Sequence, residues 1–222
     1  SEFMNAYTLH NIETVDLYAK FLNKVYNQTN DALALLSDVS PDKAFRLYLA
    51  LATQIHDIKI ERGRFEEQCM TALNSALNLL SGEKVDKDVK VHLINDMIGT
   101  LLTLSTITKE NYFSVVTTLQ NSCQNLIKRS DQCIAMLNCS SLYFNEMLED
   151  KAKIKECLVK AKRFADYAMT NPQNAMLFLY IINKYIYFIE RCDKDEFLDF
   201  VNTDTLNDLI ELVKNHIQSL KV

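Results

Sequence analysis

The residue types that most often do chemistry in proteins are scattered along this chain. Its four histidines lie far apart: His10, His56, His92 and His216. None belongs to an HExxH motif or follows a glutamate by three residues, as zinc and di-iron sites require. His56 and Asp57 could form an isolated acid–base pair, but a solvated pair at a helix end is the simpler interpretation. The sequence therefore predicts no metal site, no catalytic residue and no cofactor.

Glycine-rich loops and reactive cysteines are the next sources of chemistry. With only 3 Gly, the chain has no GxGxxG, GxxxxGK[ST] or GxSxG sequence to hold a phosphate or present a serine nucleophile. The six cysteines lack CxxC spacing, which predicts reduced thiols in a cytoplasmic protein. Cys139 and Cys192, at or near predicted helix ends, are the candidates for a nucleophile if folding brings a base beside them. Buried, inert thiols are the alternative.

Composition and charge limit the class of protein. A chain of 222 residues with 48% hydrophobic content is able to bury a sizeable core, and 3 Gly with 2 Pro favour helices over turn-rich β structure. A net charge of -5 argues against nucleic acid as a partner. No apolar run reaches the roughly 20 residues of a membrane span, so we expect no direct membrane insertion. Residues 1–3 are interpreted as a cloning remnant, and residues 4–222 as a single segment.

Apolar residues recur at the helical period along most of the chain. The predicted helices include 15–36, 65–80, 172–189, 197–201 and 206–220. Capping signals lie near Ser40, Asp86, Ser130 and Asn171, at spacings of about 41 to 46 residues, which is close to the length of a helical-hairpin repeat. We predict about ten helices in an all-α, HEAT-like α-solenoid of stacked antiparallel helix pairs. A compact helical bundle is the alternative.

Two further features point to binding. The positive run consists of Lys151, Lys153, Lys155, Lys160, Lys162 and Arg163. These residues form either a solvated helix face or a salt-sensitive binding surface for an acidic partner. The acids between 190 and 211 are a possible counterpart, and the contact is then intramolecular. The helix after Pro172 carries Phe178, Tyr180, Tyr185, Tyr187 and Phe188. Most of these aromatic rings are expected in the core, and tyrosines at the exposed end of the helix are candidates for a protein interface.

Several segments resemble, in the same order, the C-terminal region of the vacuolar protein sorting-associated protein 35 family, the large subunit of retromer. These segments are Phe45–Leu47, Met97–Thr100, Glu110–Asn111, Leu126–Gln132, Leu142–Phe144, Ile154–Lys160 and Ile182–Phe188. The resemblance covers roughly residues 40 to 220. An acidic loop of the family is reduced here to Ser81, Gly82 and Glu83.

The resemblance implies a non-catalytic scaffold segment of retromer that sorts proteins from endosomes to the Golgi and plasma membrane. It implies binding to the metallophosphoesterase-like retromer subunit, contact with endosomal regulators, possible self-association, and a cytoplasmic, peripheral location on endosomal membranes. We expect partner contacts at Tyr143, Tyr180, Lys184 and Tyr187, and self-association at Lys128 and Arg129. As part of a longer solenoid, the chain is expected to expose an apolar surface on its N-terminal helices. The alternatives are an unrelated helical-repeat adaptor of another trafficking or regulatory complex, and a helical enzyme with a cysteine nucleophile.

Overall fold

The computed structural model describes residues 2–56, 65–105, 107–169, 172–191 and 203–219. Within these ranges the regular structure is helical, apart from one isolated antiparallel bridge between Phe144 and Glu149. The α-helices are α1 (Glu2–Val39), α2 (Pro41–His56), α3 (Glu66–Ser81), α4 (Lys87–Thr103), α5 (Lys109–Gln124), α6 (Arg129–Cys139), α7 (Lys151–Ala168), α8 (Met176–Arg191) and α9 (Thr203–Ser219). Short 3₁₀ helices span Ser140–Tyr143 and Pro172–Ala175. The predicted all-α fold of stacked helix pairs is confirmed.

Local sequence signals explain several of the helix boundaries. Pro41 is the first residue of α2, and only Ser40 separates that helix from α1. Gly82 follows α3, and its backbone N–H donates to Asn78 O at 3.1 Å. Asp150 caps α7 by accepting a hydrogen bond from the backbone N–H of Lys153 at 3.0 Å. These contacts satisfy backbone groups that a helix end would otherwise leave unpaired.

Other boundaries differ from the prediction. α1 extends well beyond the predicted 15–36, and α6 begins at Arg129, with Lys128 as a cap residue that makes no side-chain capping bond. Pro172 begins a 3₁₀ helix, and α8 starts only at Met176. The φ angle that a proline fixes is compatible with a 3₁₀ turn as well as with an α-helix, so the proline does not distinguish the two. Asn171 and the predicted helix 197–201 lie outside the described residues.

The chain divides into two compact units, the first formed by residues 1–86 with 104–115. In this unit α2 and α3 are antiparallel, since Cys69 near the start of α3 lies 3.8 Å (Sγ to O) from Ala52 near the end of α2. α1 and α3 are parallel, because Tyr26 bonds to Gln68 near the start of α3, and Asp38 near the end of α1 pairs with Lys84 just after α3. Alternate helices therefore share one direction, as helical hairpins require.

The second unit comprises residues 87–103 with 116–222. Here α4 and α6 are parallel: Lys128, just before α6, pairs with Asp88 at the start of α4, and Asn138 bonds to Asn95 further along. α6 packs against α7 and against α8. Its buried side chains, among them Cys133, Met136 and Leu137, fill the space between these neighbours.

The spacing of these long-range hydrogen bonds reveals the repeat. Bonds between alternate helices join residues 42, 43 or 45 positions apart in both units, as in Tyr26–Gln68, Asn95–Asn138 and Glu66–Asn111. The spacing of about 41 to 46 residues predicted from the capping signals therefore has a counterpart in the contacts. Whether residues 4–222 form one segment remains a prediction.

An apolar stripe lies along α1. Leu17, Phe21 and Val25, spaced by one helical turn each, are exposed, and Tyr18 beside them is about half exposed. Their exposure agrees with an apolar surface on the N-terminal helices, and its covering by further repeats remains a prediction. No described helix combines the length and apolar content needed to cross a bilayer.

Candidate partner-binding groove

A groove of about 420 Å³ lies between α6 and α8 in the second unit. Ile134 and Leu137 of α6 form its apolar wall, with Asn138 beside them. The residues it takes from α8 are Tyr180, Asn183, Lys184 and Tyr187. It therefore brings together three of the four residues predicted to contact a partner. It adds four that sequence reasoning missed, three from α6 and Asn183 from α8.

The sequence of α8 explains why these side chains reach the groove. Its buried residues, Leu177, Phe178, Ile181, Tyr185 and Phe188, follow the helical period and hold one face against the unit. Tyr180, Lys184 and Tyr187 are spaced by four and three residues, so they line up along one edge of that face. Tyr180 is 49% exposed. The helix thus buries one face and presents a tyrosine–lysine–tyrosine edge.

Lys184 is the most unusual member of this edge. Its Nζ donates to Ser141 Oγ and lies 4.8 Å from the centroid of the Tyr187 ring and 5.5 Å from that of Phe188. Burial lowers the pKa of this lysine, and the nearby positive charge of Arg191 lowers it further. Among the described residues no carboxylate forms an ion pair with Lys184.

A second cation, Arg191, lies against the ring of Tyr187. The Arg191 guanidinium carbon lies 4.1 Å from the centroid of that ring, within the range of a cation–π contact. The ring therefore stabilises two positive groups that an anion has not neutralised within the described chain. Ser141 and Lys184 are 43 residues apart, so the repeat spacing is the signal that would have paired them from sequence.

Tyr143, the fourth predicted contact residue, lies elsewhere. It is fully buried, its hydroxyl donates to Gln120 Oε1, and the side chain of Thr117 is hydrogen-bonded to it. Burial raises its pKa. Gln120 in turn donates to Glu156, whose carboxylate also accepts from Lys153 and Lys160. Tyr143 therefore stabilises the core of the second unit and offers no surface to a partner.

The predicted self-association residues both have partners within the chain. Lys128 Nζ lies 2.7 Å from Asp88 Oδ1 in an exposed pair, and this carboxylate raises the lysine pKa. Arg129 donates to Gln132 and lies over the rings of Phe164 and Tyr167, at 5.8 and 5.7 Å from their centroids. The exposed ion pair of Lys128 is weak, so another carboxylate is able to replace Asp88. Arg129, in contrast, is held in place by two aromatic rings.

The positive run of α7 is largely compensated by local acids. Lys153 and Lys160 share Glu156, Lys162 lies 3.4 Å from Asp166, and Lys151 lies 3.9 Å from Glu149. These pairs favour the interpretation of a solvated helix face over that of a dock for an acidic partner. Half of the acids between 190 and 211 that were considered as a counterpart, namely Asp193, Asp195, Glu196 and Asp199, lie outside the described residues.

Of the two cysteine candidates the structure describes Cys139, and its environment is not an activating one. Cys139 is fully buried beside Cys123 and Cys157, and the hydrogen bond with Cys123 and its burial raise the pKa of this thiol well above its ordinary value. A nucleophilic cysteine needs the opposite shift. Cys192 and the pair His56–Asp57 fall on residues whose side chains are not described. Among the described residues no three His, Cys, Asp or Glu side chains are grouped as metal ligands.

Comparison with known proteins places these features in a family. The family model for vacuolar protein sorting-associated protein 35 matches residues 3–216. Protein 35C of Arabidopsis thaliana is 28% identical over 212 residues, which cover 89% of this chain and 25% of that protein. Protein 35A of the same plant is 29% identical over 203 residues, covering 86% and 24%. The Schizosaccharomyces pombe protein 35 is 20% identical over 220 residues, covering 95% and 24%.

The chain thus spans about a quarter of the length of the curated relatives it matches. The match extends over nearly all of the described helices, including those that form the groove. With its helical repeats, the chain belongs to the vacuolar protein sorting-associated protein 35 family.

Proposed function

We propose that this chain is a non-catalytic scaffold segment of retromer that acts in protein sorting from endosomes to the Golgi and plasma membrane. Membership of the family supports this function. Family membership also argues against the alternative that the chain is an unrelated helical-repeat adaptor. The proposal includes a cytoplasmic location, peripheral to endosomal membranes, and access to endosomal regulators.

We further propose that the groove between α6 and α8 binds the metallophosphoesterase-like retromer subunit. The observation that carries this proposal is the edge of Tyr180, Lys184 and Tyr187, where aromatic rings and a cation that no described carboxylate pairs with line a concave surface. Tyrosines are enriched where protein interfaces place most of their binding energy. The smaller concavity of about 100 Å³ in the first unit is lined by Leu22, Tyr26 and others without a lysine or arginine.

Calorimetric titration of this chain with that subunit tests the proposal. We expect a one-to-one complex, and a loss of about tenfold or more in affinity for the double variant Tyr180→Ala, Tyr187→Ala, since interface tyrosines are frequent hot spots. Tyr18→Ala is the matched control, because Tyr18 is 52% exposed, close to the 49% of Tyr180, but lies in the first unit. Absence of heat at micromolar concentrations, together with two separate peaks on a sizing column, would contradict the proposal.

Self-association is a second proposal, and it rests on Lys128. This lysine is exposed and forms an ion pair with the exposed Asp88, a contact that a carboxylate of a second copy is able to replace. Sedimentation velocity over a range of protein concentrations tests it. We expect Lys128→Glu to shift the chain toward the monomer, and a monomeric parent chain at every concentration would contradict self-association.

A further inference from the structure

The groove holds a positive charge that the described chain does not neutralise. An ammonium has three N–H donors, and one of those on Lys184 is used by Ser141 Oγ. On α7, by contrast, Lys153 and Lys160 both reach Glu156. Removing a cation from water without an anion beside it is unfavourable, so this groove is favourable for a negative group.

The rest of the groove is suited to an apolar side chain. Ile134 and Leu137 form one wall, and the rings of Tyr180 and Tyr187 stand on the other helix. Its volume of about 420 Å³ is near the lower end of the roughly 300–1,000 Å³ typical of binding pockets. Space of this size accommodates a few side chains of a protein segment.

We propose that the groove receives an acidic side chain of the bound partner subunit together with an adjacent apolar side chain. The carboxylate pairs with Lys184, and the apolar side chain packs on Ile134 and Leu137. The identity of the occupant as that subunit rests on the proposed function, whereas the preference of the groove for an acidic side chain next to an apolar one is tested separately below.

The position of the groove favours a carboxylate over a phosphate. Phosphate sites in proteins commonly use unpaired backbone N–H groups at the start of a helix or several converging arginines. Lys184 lies in the middle of α8, where backbone N–H groups are used within the helix, and its companion Arg191 is exposed. One half-buried ammonium beside apolar walls matches a single carboxylate next to an apolar group.

The first arm of the test measures binding of the metallophosphoesterase-like subunit to charge variants. We expect Lys184→Gln to weaken binding by about tenfold or more and to reduce its dependence on salt, as loss of one member of a partly buried charge pair does. Lys184→Arg keeps the charge and should therefore bind more tightly than Lys184→Gln and retain more of the dependence on salt. Lys162→Gln, which removes a lysine from the solvated face of α7, is the matched control and should leave both quantities unchanged.

The second arm is independent of that subunit. The chain, labelled at Ile and Leu methyl groups, is titrated with the peptide acetyl-Leu-Glu-Phe-amide and with its Gln counterpart, and NMR shifts of Ile134 and Leu137 are followed. We expect the Glu peptide to shift these methyl groups at concentrations at least about fivefold lower than the Gln peptide, since only the former carries the charge. Lys184→Gln should remove the difference.

The outcomes separate the two proposals. If the subunit does not bind but the Glu peptide binds more tightly than the Gln peptide, the proposed function fails. The preference of the groove for an acidic side chain next to an apolar one then stands. A second outcome is that the subunit binds, that Lys184→Gln does not weaken this binding, and that the Glu and Gln peptides bind equally. The inference is then wrong and the proposed function stands. The inference is also wrong if neither peptide binds. It is overturned as well if neutralising Asp193, Asp195, Glu196 and Asp199 strongly increases peptide binding, because the chain's own acids would then be the occupant.

Discussion

Replacing Tyr143 by phenylalanine tests whether this residue stabilises the core or contacts a partner. The change removes the hydroxyl that donates to Gln120 Oε1 and is hydrogen-bonded to Thr117, both within the second unit. Gln120 is only 3% exposed, so water does not readily replace the lost hydroxyl. A buried polar group left unsatisfied costs about 1–3 kcal/mol, and we expect Tyr143→Phe to lower the free energy of unfolding by about 2 kcal/mol.

For a chain of this size, a loss of about 2 kcal/mol lowers the melting temperature by roughly 4–8 °C. Because the chain has no tryptophan, far-UV circular dichroism during heating and in urea is the suitable assay. Tyr180→Phe is the control, since its hydroxyl lies on an exposed residue, and the expected loss is below about 0.5 kcal/mol.

The bond between Thr117 and Tyr143 makes a sharper version of the experiment possible. Thr117→Val alone should lower the free energy of unfolding by about 1 kcal/mol, and much less when Tyr143→Phe is already present, because both changes remove the same bond. Full stability of Tyr143→Phe combined with weaker binding of the partner subunit would refute the assignment of Tyr143 to the core.

Two further predictions concern acid and thiols. Lys153 and Lys160 lower the pKa of Glu156 to about 2, so its stabilising contribution is complete above its ordinary value of 4.5 and is lost as the pH falls from there toward 2. The Glu156 side chain is 35% exposed, which limits the contribution to about 1 kcal/mol after solvent screening. In urea unfolding, the difference between the parent chain and Glu156→Gln should therefore shrink with acid, and a difference that grows would contradict the pairing. The described cysteines are all buried, and burial raises the pKa of Cys69 and Cys133 to about 12. In the native chain at neutral pH a disulfide reagent should modify at most Cys192, whereas all six thiols should react in concentrated guanidinium chloride; rapid reaction of two or more native thiols would show that this core opens.

Helical periodicity was a reliable guide to the elements because each helix is determined by contacts within about four residues. The apolar series on α8 and the Pro41 start of α2 illustrate this: both depend on local spacing and local backbone chemistry. The start of α8 was misplaced because Pro172 is compatible with a 3₁₀ turn as well as with an α-helix. No local signal separates the two.

The sequence also indicated the repeat, through capping signals about 41 to 46 residues apart, and the family, through short segments in a shared order. It placed Tyr180, Lys184 and Tyr187 on one edge of one helix, because their spacing by four and three residues is a property of the helix itself. It left open whether that edge faces solvent, a neighbouring helix or a groove.

Only the tertiary structure decided how side chains some 20 to 45 residues apart meet. It placed the hydroxyl of Tyr143 on Gln120 in the core, Lys128 on Asp88, and Lys184 on Ser141 without a carboxylate among the described residues. The physical reason is that the burial of a tyrosine and the pairing of a lysine depend on the packing of neighbouring helices, which local periodicity does not encode. The helices and their family follow from the sequence, whereas the groove and the surroundings of its lysine follow from their packing.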